Sequence, residues 1–373
     1  MHLDAPTRIR EVRLRRRRAR KSFWVSCTIG VLSILAGRPV TAQAPVPNDI
    51  QAALQHTTEL MRTPMHVDAQ FDYIMTARVR LLLFWAGKDD VGGGYIRRGR
   101  LPQDPASDVI ELLIGSDPAK APRAINRWGA ASEIAHKPSG SGHGVESSTF
   151  FGFMKVSSGT SAAEMEKEVA REKRGGSFLF SAIINQGERN FDFAKVVPFS
   201  SDTDFTIHQF DQAKSMVFDR MLGSEGRLKE IDAKEVLACG RREGFLESVA
   251  ELVDFAVDKR ETGRETAPAL CYFYNGVHHQ LTLAQVTKVP SESVKLALRD
   301  EPHDYVRTYR DLVLARFENF DQTTKKKTEF ELLLGTTGSL RGVPVQIHYQ
   351  PNWWFQVILN LKTPENAASA QSQ

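Results

Sequence analysis

The chain has 373 residues, with 49 lysines and arginines against 45 aspartates and glutamates, a formal charge of +4 and a pI near 8.9. That basicity is unevenly placed. Residues 1–44 hold ten basic and two acidic side chains, so the remainder carries 49 − 10 = 39 basic and 45 − 2 = 43 acidic residues, a charge of −4. The body of the protein therefore lacks the overall basicity that a nucleic-acid-binding surface requires, and no nucleic-acid partner is expected.

Residues 1–44 read as a cleaved export signal. Arg15 to Arg18, Arg20 and Lys21 form its basic start, Phe23 to Ala36 its apolar stretch, and Ala42-Gln43-Ala44 a small-x-small cleavage site. The apolar stretch falls well short of the ~20 residues that span a bilayer. Arg17-Arg18 do not make a good twin-arginine signal, because the following aromatic, Phe23, lies too far downstream. Cys27 precedes most of the apolar stretch and so does not fit a lipoprotein anchor. Cleavage near Ala44 would deliver a periplasmic or extracellular protein with no membrane span in the mature chain.

In chain order, Asn48 can cap a helix with apolar positions Ile50, Ala53, Leu54, Leu60 and Met61, stopped by Thr63-Pro64. The stretch from Phe71 to Leu101 then dominates the pattern. Phe71, Tyr73, Met75, Ala77, Val79, Leu81, Leu83 and Trp85 alternate with Asp72, Thr76, Arg78 and Arg80, the period-two signature of a half-buried strand. Gly87, Asp89, Asp90 and Gly92 to Gly94 suggest a tight reversal before a second strand. Strand patterns follow at Asp108 to Ile114, Ile125 to Ala135 and Thr149 to Val156, then at Ser177 to Asn185, Phe191 to Val197 and Asp204 to Phe210. Ser161 with Glu164 predicts a surface helix to about Lys173.

The period changes between residues 221 and 266. Asp232 with Glu235 can cap one helix, and Phe245, Leu246, Val249, Leu252, Val253, Ala256 and Val257 mark a second with a broad apolar face. Hairpins resume after it. Asn275-Gly276 is a strong two-residue turn signal between Leu270 to Tyr274 and Val277 to Val286. Leu312 to Phe317 and Phe330 to Leu334 flank a polar loop, in which Lys325 to Lys327 read as a solvated hairpin tip. Val343 to Tyr349 and Trp353 to Leu361 form the last pair, with Pro351-Asn352 as its turn.

The expected organisation is a signal peptide over 1–44, a β-rich lobe with helices over 45–220, a helical connector over 221–266, an antiparallel β lobe over 267–362 and a disordered tail over 363–373. The fold class is α+β: long antiparallel meander sheet, curved or barrel-like, with a few covering helices.

Chemistry is thinly signalled. Ser141, His143 and Glu146 share a glycine-rich loop and supply residue types for nucleophilic catalysis, but Gly140-Ser141-Gly142 is not the Gly-x-Ser-x-Gly elbow. Gly92 to Gly94 lack the spacing of a nucleotide cradle, and no cofactor is implied. His278 and His279 are adjacent in a strand and point to opposite faces, which argues against shared metal ligation. Trp85, Trp128, Arg127 and Trp354 are candidate ligand contacts. Cys239 and Cys271, the cysteines left after leader removal, permit a disulfide. These features favour a non-enzymatic exported protein binding an apolar small molecule, lipid or envelope component. The alternatives are a hydrolase using the 139–147 loop and an envelope adaptor using a sheet edge.

Overall fold

The computed structural model describes residues 62–81, 84–122, 128–136, 147–156, 175–186, 189–200, 227–230, 244–262, 267–274, 277–296, 298, 305–352 and 355–362, together with Ala52, Gln55, Glu59 and Leu60. The leader, the tail, the Ser161 helix, the Asp204 strand and the Asp232 cap of the sequence reading lie outside these residues. The first helix is represented by Ala52, Gln55, Glu59, Leu60 and Arg62. It ends where the Thr63 hydroxyl and amide both donate to the Glu59 carbonyl, at 3.1 and 3.2 Å, one residue before the proline that cannot continue it.

Among the described residues fourteen strands form one antiparallel meander, with β8 and β9 as its outer strands. The N-terminal half comprises β1 His66–Leu81, β2 Phe84–Leu101, β3 Asp104–Ser116, β4 Trp128–His136, β5 Ser147–Val156, β6 Gly175–Gln186, β7 Arg189–Ser200 and β8 Arg227–Glu230. Helix α1, Phe245–Thr262, follows, and then β9 Leu270–Tyr274, β10 Val277–Leu296, β11 Tyr305–Asp321, β12 Lys327–Gly335, β13 Pro344–Asn352 and β14 Phe355–Leu361. The 221–266 segment thus supplies a short strand as well as a helix. Strand β1 pairs with β14, from Tyr73 opposite Leu361 to Val79 opposite Phe355, and this ladder joins the first strand of the chain to the last.

The central hairpin differs from its sequence reading. Leu81 pairs with Phe84, and Gly92 to Gly94 sit inside β2 opposite Met75, Ile74 and Tyr73. Their role is close approach: a Cβ on Gly93 would overlap the Tyr73 carbonyl oxygen, and one on Gly94 the Leu113 carbonyl oxygen. Asp89 and Asp90 belong to an irregularity between the Met75–Gly92 and Ala77–Lys88 pairs, and Asp90 has φ +51°. Thr76 donates its hydroxyl to Asp89 at 2.8 Å, and Lys120 pairs with the buried Asp90 at 2.8 Å.

The C-terminal hairpins follow the sequence more closely. Tyr274 pairs with Val277, leaving two residues for the Asn275-Gly276 reversal. Phe320 pairs with Lys327, which puts Lys325 and Lys326 on an exposed turn with φ +57° at Lys325. The last turn is displaced from its expected place. Asn352 pairs with Phe355, and Pro351 lies in β13 at a register shift, where its missing N–H removes no ladder bond.

Helix α1 buries Leu252, Val253, Ala256 and Val257 against Leu270, Tyr272, Leu281, Val313, Ala315, Phe317, Leu332 and Leu334. The i, i+1, i+4, i+5 spacing puts those four side chains on one face. Full burial of such side chains contributes on the order of 1.5–3 kcal/mol each for the larger ones. At the helix N-terminus Leu246 joins a second cluster with Ile110 of β3 and Phe150 of β5. A third cluster, around Phe71, Tyr73, Met75, Leu359 and Leu361, is covered in part by Val294, Leu296 and Tyr309 from the long β10–β11 hairpin. Among the described residues no helix is long and apolar enough to cross a membrane.

Candidate functional site

The first turn of α1 is where distant parts of the chain converge. Glu133, 1% exposed on β4, accepts hydrogen bonds from the Gly244 amide at 2.5 Å through Oε1, and from the Leu246 and Glu247 amides at 2.8 and 3.1 Å through Oε2. These amides are among the donors that a helix start leaves without intrahelical partners, and a carboxylate there also meets the positive end of the helix dipole. Gly244 makes the approach feasible, because a Cβ at that position would lie 2.7 Å from the Glu133 carboxyl. One residue further on, the Phe245 ring lies 5.4 Å from Tyr272 of β9 and 6.4 Å from Phe330 of β12. Glu133 is a clasp, and its acceptor capacity serves the backbone.

A second constellation occupies the end of the sheet where β3 begins and β4 ends. His136 Nδ1 lies 2.8 Å from Asp104 Oδ2, with 30% and 34% of the two side chains exposed. A carboxylate on Nδ1 fixes the tautomer that leaves Nε2 as an acceptor, the orientation used in general-base catalysis. Ser107 faces His136 across the ladder, but its hydroxyl already donates to the Asp104 carbonyl at 2.6 Å and accepts the Leu101 amide at 2.9 Å. An open recess of about 290 Å³ adjoins it, lined by Asp68, Arg100, Pro105, Ser107 and Asp108 among others. Arg100 pairs with Asp68 at 3.0 Å on its rim.

The sequence-predicted site residues fall as follows. Trp85 sits near the tip of the β1–β2 hairpin with 38% of its surface exposed. Trp128 opens β4 opposite Gly115, while its side chain, Arg127 and Trp354 lie outside the described residues. Ser141, His143 and Glu146 lie outside them too, in a connection that leaves β4 at His136 and enters β5 at Ser147, two residues that pair with each other. Cys271 is disulfide-bonded, and Cys239 is outside the described residues. His279 stacks on Tyr272 at 5.1 Å, whereas His278 Nε2 lies 2.7 Å from Cys271 Sγ, as expected for neighbours facing opposite ways.

Charge is organised on β11 and β12 at positions that alternate with those packed on α1. Arg316 and Lys327 both bond Glu329, the latter at 3.0 Å, and hold its carboxyl below the usual range. Burial works against ionisation of Asp321, yet the Thr324 hydroxyl and the Thr324 and Thr323 amides donate to its carboxylate and leave its pKa lowered. This pins the β11–β12 turn. Burial pushes the His348 imidazole below its ordinary value; Glu331 opposes that shift and Arg78 adds to it.

Sequence reasoning missed the Glu133 clasp and the Asp104–His136 pair. Glu133 and Gly244 are 111 residues apart, so no local spacing announces them; the only local hint is a glycine just before an apolar helix face. Compared with family models, curated proteins and solved structures, the chain matches none.

Proposed function

We propose that this is an exported, non-catalytic binding protein of the cell envelope that takes an apolar small molecule or lipid, held by a sheet coiled around α1. One observation carries the reading: adjacent residues of α1 touch strands far apart in the sheet. Phe245 meets β9 while Gly244 and Leu246 meet β4, nine positions away in the strand order. Nine flat spacings would separate those strands by about 43 Å. Strands β6 and β9, eleven positions apart, also approach within 8 Å between Cα atoms. A strongly coiled sheet reconciles both, and such a sheet gathers apolar side chains on its inner face. Groups with catalytic potential are meanwhile engaged structurally: Glu133 by the helix amides and Ser107 by two backbone groups.

Native purification of the mature chain followed by mass spectrometry of extracted small molecules tests this reading. A reproducible lipid or apolar compound at near-stoichiometric level is expected. Its absence from protein isolated from its own host would refute the binding function.

A second reading, an exported hydrolase, draws on the Asp104–His136 pair at the root of the 137–146 connection. It predicts an esterase- or peptidase-type activity lost in Ser141→Ala, His143→Ala and His136→Ala with the fold retained. Activity unchanged in all three would end it.

A further inference from the structure

The strongest unexplained feature is the far end of the β1–β2 hairpin. Arg78 to Arg80 and Phe84 to Lys88 are all exposed, with Val79 at 36%, Phe84 at 61% and Trp85 at 38%. In the sequence Phe84 and Trp85 belong to an unbroken apolar run, Leu81 to Ala86. Runs of exposed apolar residues are unfavourable in a soluble domain unless they meet a partner.

The charges beside this run indicate which partner. Arg78 and Arg80 flank it, and Arg80 stands directly opposite Trp85 in the ladder. Both arginines are exposed and make no hydrogen bond or ion pair with the described residues. The two acids of the same hairpin are engaged with other groups, Asp89 with Thr76 and Asp90 with Lys120. Tryptophan and arginine in this arrangement suit the lipid–water boundary, where the indole lies at headgroup level and the guanidinium pairs with phosphate.

We infer that the Arg78–Lys88 hairpin tip inserts into the interface of an anionic lipid membrane, with Phe84 and Trp85 entering the boundary and Arg78 and Arg80 binding lipid phosphates. The inference rests on the lipid-binding reading above and makes it specific. The two fail separately: a co-purified lipid without vesicle binding leaves that reading standing and removes this one.

The test is co-sedimentation of the full mature chain with two kinds of vesicle, phosphatidylcholine alone and phosphatidylcholine partly replaced by phosphatidylglycerol. Wild-type protein is expected to bind the anionic vesicles. The double variant Phe84→Ser/Trp85→Ser should lose at least about tenfold in affinity. Arg78→Gln/Arg80→Gln should lose roughly thirtyfold on anionic vesicles and almost nothing on neutral ones, at about 1 kcal/mol for each of the two surface cations. Should the aromatic variant not fold, as judged by its thermal transition, the arginine variant decides alone. Wild type that binds neither vesicle, or that captures a protein partner through this tip in place of lipid, would overturn the inference. So would undiminished binding by a folded tip variant.

Discussion

The two ends of the β1–β2 hairpin are built from the same pair of strands and have opposite fates. At its base Phe71, Tyr73, Ile74, Met75, Val91 and Tyr95 are buried, with glycines that let neighbouring backbones close in. Beyond the irregularity at Thr76, Asp89 and Asp90 the sequence alternation continues, but Arg78 to Arg80 and Phe84 to Lys88 are exposed. Period-two patterning therefore identifies a strand without saying what covers it. The cover comes from other elements: at the base β14, β3 and the β10–β11 hairpin, whereas at the tip the β14 ladder reaches only to Val79.

The largest expected effect breaks this contrast at its base. Gly94→Val and Gly93→Val place side-chain atoms onto the carbonyls of Leu113 and Tyr73, and the ladder should not form; the expected loss is about 3 kcal/mol or more, read from denaturant unfolding. Gly87→Ala at the tip is the matched control. Its Cβ would meet the flexible Arg78 side chain at 3.1 Å, so stability should stay within about 0.5 kcal/mol. Equal damage at both positions would show that the base and the tip are not packed differently.

Next in size is Glu133→Ala. Three helix amides lose their acceptor together, with an expected loss of roughly 3 kcal/mol, smaller for Glu133→Gln, which keeps one carbonyl acceptor. A stability change below about 0.5 kcal/mol would mean that the clasp does not join β4 to α1.

The pH response is smaller and has a definite sign. His348 is held below its ordinary value by burial, so the unfolded imidazole takes up its proton first as pH falls. Its contribution is full above about pH 6.5 and declines below it. Thermal melts between neutral and mildly acidic pH should show this slope reduced in His348→Gln. An identical slope would assign the acid sensitivity elsewhere.

Smallest is the effect of Trp85→Ser on stability, expected within about 0.5 kcal/mol because the ring is partly exposed and far from the buried base. A large loss would place Trp85 in a packed contact and undo the contrast from its other end.

Much of the fold was legible because its signals are local. The Asn275-Gly276 turn, the Lys325 tip and the apolar face of α1 each depend on a few consecutive residues, and the structure has them where their chemistry demands. The misread features answer to neighbours distant in sequence. Gly92 to Gly94 look like a turn when seen alone and become strand residues once the Tyr73 and Leu113 carbonyls are in place. The run Leu81 to Ala86 holds no turn residue, so nothing local announced the pairing of Leu81 with Phe84. Pro351 resembles a turn proline until the pairing of Asn352 with Phe355 extends β13 past it. The β1–β14 ladder and the Glu133 clasp join residues hundreds or scores of positions apart, where no periodicity can point.

Both halves of the sheet meet at the first turn of α1. Nuclear Overhauser contacts in methyl- and aromatic-labelled protein test it most directly. The account predicts that Leu246 shows contacts to Ile110 and Phe150 in the same sample in which Phe245 shows contacts to Tyr272 and Phe330. Contacts to one set only, with the other absent in folded protein, would contradict it.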